Sequence, residues 1–216
     1  MKELLKDIDK SVDCLVELGK EIIGKRPLYT YDLYCTIVLN RCLNLLNGFT
    51  GLMRGNNYTA AVPLVKSYLD LLLQLYASTL VLYSMDEFAK KIFKGRKIRY
   101  MKDAEGRTMN ETYLIKKLSK QEGLGWMLDL YNLERAYEHY NDYIAASSAN
   151  VNSFLEDDNN VMTIILSEDG FVSDAEKLEL AIKINQITAV IVNFITQWKV
   201  QKEVSFKTRV YKRRMA

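Results

Sequence analysis

The chain has 216 residues, 49% hydrophobic and 26% charged, which is enough apolar side chain for a buried core and excludes a disordered chain. Its formal charge of +3 is too small for whole-molecule attraction to drive binding of nucleic acid. With only 2 prolines and 10 glycines as punctuation, long stretches run unbroken, and the sequence predicts an all-α protein.

Leu4, Leu5, Ile8, Val12, Leu15, Val16, Ile22 and Ile23 follow the three-four rhythm of one helical face and predict a first helix ending near Gly24. Pro27 and Thr30 then open a second helix to about Arg54. After the turn at Gly55-Asn56-Asn57 a third begins, tolerating Pro63 only in its first turn. Apolar residues on most sides of Leu64 to Leu82 make this the expected centre of the bundle.

Capping boxes at Ser84-Met-Asp-Glu87, Thr108-Met-Asn-Glu111 and Ser173-Asp-Ala-Glu176 predict three more helix starts. The first of these helices gives out at Gly95, and a basic loop with a turn at Asp103 and Gly106 follows it. Trp126 opens another helix after Gly123 and Gly125. It is expected to run to about Tyr143 or Ala149, and the last helix to about Glu203. The expected architecture is a single-domain bundle of about six or seven helices over 1–203, with a short irregular or extended arm near 150–171 and a basic tail at 204–216.

Cys14, Cys35 and Cys42 lack metal or redox spacing and read as small buried hydrophobes in a reducing compartment. Acids where a signal peptide needs an apolar run, and no clean run of about 18–20 apolar residues, point to a cytoplasmic protein with no membrane partner. One histidine, His139, cannot build a two-histidine metal site within one subunit, and no glycine-rich phosphate loop appears. No metal and no cofactor is expected.

Three groups of residues could carry chemistry. Arg135 and His139 stand four apart on one predicted helix face, a usable ribonuclease pair or an ordinary surface pair beside Glu134 and Glu138. Asn40, Arg41, Asn44 and Asn47 form one polar row, and Lys66, Asp70 and Gln74 form another. Facing each other, Arg41, Asn44, Lys66, Asp70 and Tyr143 would make an internal polar cluster, structural or ligand-binding. Lys66 and Asp70 also suit a simple exposed pair. Lys94, Arg96, Lys97 and Arg99 form a basic loop able to touch phosphate, or a solvated loop and nothing more.

The segments KGRKIRYMKDAEGRTMNETYLIKKLS and YNDYIAASSANV, with Leu64-Val-Lys66-Ser-Tyr-Leu-Asp70, resemble a family of bacterial all-helical proteins of unknown function. That family is in turn distantly similar to HEPN proteins, many of them dimeric, metal-independent ribonucleases acting as toxins or defence effectors. Ala145 stands where the family motif has histidine, and only three residues separate Arg135 from His139. The resemblance therefore implies a weakened member or a non-enzyme. Two functions follow as expectations: a non-catalytic interaction or ligand-binding module, and a HEPN-type ribonuclease with His139 and Arg135 as catalytic residues. A homodimer, an RNA or a protein is the expected partner.

Overall fold

The computed structural model describes the backbone of residues 1–24, 27–138 and 172–214, and the side chains of 1–24, 27–132 and 172–204. The described residues are all-α, as the sequence predicts, and form seven α-helices with no strand. Helices α1 (Lys2–Ile23), α2 (Thr30–Arg54), α3 (Tyr58–Thr79) and α7 (Asp174–Arg214) make a ring in which each packs on two neighbours. The shorter α4 (Met85–Phe93), α5 (Glu111–Leu118) and α6 (Trp126–Glu138) all lean on α3, with α4 also against α2.

Helix α3 is the hub because 13 of its 22 residues are buried, more than one face can supply. In α1, by contrast, Leu5, Ile8, Leu15, Leu18 and Ile22 form one buried stripe, and Gly24 takes the positive φ of 38° that ends the helix. Asn56, at φ 54°, turns the chain from α2 into α3, and the Asn57 side chain accepts from Ala60 N at 3.2 Å to cap α3.

Helix α7 runs parallel to both α1 and α3. Its Asn185 meets Ser11 and its Lys199 meets Glu21, while Lys177 reaches Asn56 and Thr188 reaches Tyr68. Ile184, Ile187, Ile191 and Ile195 step along it at helical spacing into the core.

Several expectations need correction. Asn110, not Thr108, caps α5, its side chain accepting from Tyr113 N at 2.8 Å. Thr108 instead pairs with Lys102 in an isolated antiparallel bridge. Pro63 lies inside α3, beyond the first turn, so it removes one N–H from the ladder of a helix that continues through it. Cys14 is exposed on α1, whereas Cys35 and Cys42 are fully buried as expected. The last helix continues as backbone to Arg214, past the expected end near Glu203. Its stretch Asp174–Val204 is long and apolar enough to cross a membrane by length and composition, against the reading that no segment is. A helix that lays four isoleucines into a bundle core passes the same test. The expected arm at 150–171 and the end of α6 beyond Glu138 lie outside the described residues.

Candidate functional site

Two features that the sequence shows far apart, the polar row of α3 and the basic loop after α4, meet at one pocket. Its volume is about 400 Å³. Asp70 and Gln74 on α3 line one side, Arg96, Lys97 and Arg99 another, and Glu111 opens α5 beside them. Leu73, Ile92, Ile98, Met109 and Leu114 supply the apolar surface between.

The loop that carries the cations is fixed by backbone geometry. Helix α4 starts at Ser84, whose hydroxyl accepts from Glu87 N at 3.2 Å. It ends in a Schellman turn: Arg96 N donates to Lys91 O at 3.0 Å and Gly95 N to Ile92 O at 2.8 Å. Gly95 sits at φ 83°, a region in which a side chain is strained. Ile98–Tyr100 then form a 3₁₀ turn, closed by Tyr100 N to Lys97 O at 3.0 Å and Met101 N to Ile98 O at 2.8 Å. Arg99 lies over the exposed Tyr100 ring at 4.8 Å. Among the described residues no salt bridge neutralises Arg96, Lys97 or Arg99.

The next turn anchors the other wall. Asp103 is almost wholly buried, and its Oδ1 accepts from Glu105 N and Arg107 N, both at 2.9 Å. Its Oδ2 accepts from the Tyr113 hydroxyl and from Lys117 Nζ, the latter at 3.0 Å. Lys117 Nζ also donates to Glu105 Oε1 at 2.8 Å. Burial alone would raise the Asp103 pKa, but the bonds from Tyr113, Arg107, Lys117 and Glu105 outweigh it and hold the carboxyl well below the usual carboxylate range. Bonds to Glu105 and Tyr113 hold Lys117 above the usual lysine range. Ala104 N donates to Leu80 O at 2.8 Å and ties this turn to the end of α3, Met109 N donates to Met101 O at 2.9 Å, and Met109 and Glu111 line the pocket with Asp70, Leu73 and Gln74.

The predicted residues divide. Lys66 and Asp70 form an i,i+4 pair at 3.8 Å, both partly buried with side chains 18% and 27% exposed. Arg41 and Asn44 are exposed on α2, where the Asn44 amide donates to Asn40 O at 2.9 Å, so they do not join an internal cluster with Asp70. Lys94 is exposed at the end of α4 and does not line the pocket, whereas Arg96, Lys97 and Arg99 do. Arg135 falls on α6 but its side chain is not described, and His139 and Tyr143 lie outside the described residues.

A buried charged network exists elsewhere, at residues the sequence did not single out. Asp32 is fully buried and accepts from Lys202 Nζ at 2.7 Å, Trp198 Nε1 at 2.8 Å and Tyr29 N at 2.8 Å. Lys202 also donates to Ile22 O at 2.8 Å, the end of α1. The network ties the end of α1 and the start of α2 to the body of α7, pairing a buried carboxylate with a buried ammonium, as a structural lock requires. The only local signals were an acid at the third position of α2 and a Trp and a Lys four apart on α7.

The pocket offers cations, carboxylates, an amide and apolar surface, and no histidine, cysteine or serine lines it among the described residues. Such a lining suits a ligand of mixed polarity. Among the described residues no His, Cys, Asp and Glu group could hold a metal ion. No protein-family model, curated protein or solved structure matches the chain.

Proposed function

We propose that this protein is a non-catalytic ligand-binding module whose site is the pocket between α3, the basic loop and α5. The observation that carries the reading is the convergence of Asp70 and Gln74 with three unneutralised cations around one apolar-lined cavity. A solvated loop has no reason to set its charges beside the partly buried polar row of the hub helix. A cavity of this volume and mixed lining is of the kind that takes small molecules. The resemblance to HEPN-like bacterial families enters this reading as an interaction role, since Asp70 and the loop fall in the segments that carry it and the histidine motif is broken.

A thermal-shift screen of wild type, Asp70→Leu and Arg96→Glu against anionic, zwitterionic and neutral metabolites tests the reading. A compound that stabilises wild type and neither variant is expected. A library that leaves wild type unmoved, or shifts all three proteins equally, overturns it. RNA cleavage by the wild type that is lost in His139→Ala would replace it with the ribonuclease reading.

A further inference from the structure

Charge is unevenly distributed along this protein. Between Lys90 and Lys102 the sequence carries seven lysines and arginines and no acid, so with +3 for the whole chain everything outside those residues sums to −4. The same region turns apolar side chains toward water. Leu82, 84% exposed, and Tyr100, 61% exposed, are the two most exposed large apolar residues among those described, and Phe93 is 45% exposed at the end of α4. A leucine so exposed gains little from folding.

Contacts bring these residues into one region of the surface. Lys91 Nζ lies 3.8 Å from the centre of the ring of Tyr83, the neighbour of Leu82 in sequence. Burial raises the Tyr83 pKa, Glu87 adds to the rise and Arg96 opposes it, so both charges stand near that ring. Ala104 N donates to Leu80 O, which draws the turn after Tyr100 back to the segment before α4. Nearby acids are mostly engaged: Asp86 pairs with Lys90 at 3.1 Å, Asp103 and Glu105 with Lys117, and Asp70 with Lys66. Against the other six cations of the region stand Glu87 and Glu111.

Cations interleaved with exposed apolar side chains match an acidic lipid bilayer, whose headgroups take the charges while the apolar side chains enter the acyl boundary. A single-stranded nucleic acid would also meet the cations, but its bases stack on rings. Leu82 has no ring, and cations cover one face of Tyr83 and one of Tyr100. We infer that the surface formed by the turn at Leu82, the end of α4 and the basic loop docks on a membrane rich in anionic lipid, with Arg96, Lys97 and Arg99 on the headgroups and Leu82 and Phe93 in the interface. This goes beyond the pocket reading and does not rest on it. The contact is peripheral and calls for no spanning segment.

Co-sedimentation of the full chain with vesicles of phosphatidylcholine alone, and of phosphatidylcholine mixed with phosphatidylserine, tests this. Wild type is expected to pellet with the mixed vesicles and not with the neutral ones, and to be released as salt rises. Arg96→Gln/Lys97→Gln, which removes two exposed charges, should weaken vesicle binding about 25-fold, at about fivefold per charge. Leu82→Ser should weaken it about tenfold and leave the thermal midpoint unchanged, since that side chain already meets water. No pelleting with the mixed vesicles, equal pelleting with the neutral ones, or vesicle binding that either variant leaves unchanged overturns the inference. Poly-uridylate bound more tightly than the vesicles, and equally well by Leu82→Ser, assigns the surface to nucleic acid and overturns it too. A metabolite screen without hits leaves this inference standing, and vesicles left unbound leave the pocket reading standing.

Discussion

Asp32 is a single carboxylate that joins the end of α1 and the start of α2 to the body of α7. Removing it leaves the Lys202 ammonium buried with the Ile22 carbonyl as its one hydrogen-bond acceptor among the described residues, together with an orphaned indole N–H. Breaking a buried pair from one side costs about 3–5 kcal/mol, so Asp32→Ala should lower the urea midpoint by that equivalent. The double variant Asp32→Ala/Lys202→Met should recover part of the loss, because no unpaired charge remains, and a strictly additive result would deny the coupling. Asp103 gives a pH signature instead. Its folded pKa lies below its unfolded value, so its contribution is fully present above the ordinary carboxylate pKa of about 3.9 and is lost as pH falls toward the lowered native value. Urea midpoints measured from pH 5 down to about pH 2 should fall less steeply in Asp103→Asn than in wild type. Lys117, raised in the folded state, works in the other direction: its contribution is present below the unfolded lysine pKa of about 10.4 and is lost as pH climbs through the higher native value.

At the scale of the element, α7 shows how one helix divides its work by face. Ile191 is fully buried and Ile182 is 39% exposed. Ile191→Ala should cost about 2–5 kcal/mol by denaturant unfolding, and Ile182→Ala clearly less, since much of its side chain already meets water. Elements whose ends are set locally could be read from the sequence: Ser84 and Ser173 cap α4 and α7 through bonds that span three residues. Thr108 failed as a cap because Asn110, two residues later, offers the same chemistry closer to the first apolar turn of α5. The polar row of α2 misled for a different reason. A row of amides facing solvent and a row facing a partner have the same periodicity, and only the packing of α2 against α1, α3 and α4 decides that Arg41 and Asn44 point outward. The row on α3, which the sequence left open between an exposed pair and an internal cluster, is partly buried because its helix is apolar on nearly every other side.

For the whole molecule, what could not be read was whatever joins distant segments. Asp32 and Lys202 are 170 residues apart, and no periodicity links them. The pocket was half legible: the loop and the row each stood out, but their meeting depends on how α4 and α5 settle on α3. The three cysteines give a direct probe of the assembled molecule. Cys14 is exposed, while burial pushes the Cys35 and Cys42 thiols up, Cys42 to about 12. A thiol reagent at neutral pH should therefore label one cysteine at once, and the other two only at the rate at which the bundle opens. Fast labelling of two or more in native buffer would contradict the packing of α2.

The parallel seating of α7 between α1 and α3 also bears on how the chain is made. Contacts such as Ser11 with Asn185 and Tyr68 with Thr188 span 174 and 120 residues. During translation at about 5–20 residues per second, α1 to α3 emerge on the order of ten seconds before the helix that closes their ring. Through that interval the groove awaiting the four isoleucines faces solvent, a surface that chaperones bind and that neighbouring nascent chains on one messenger could bury instead.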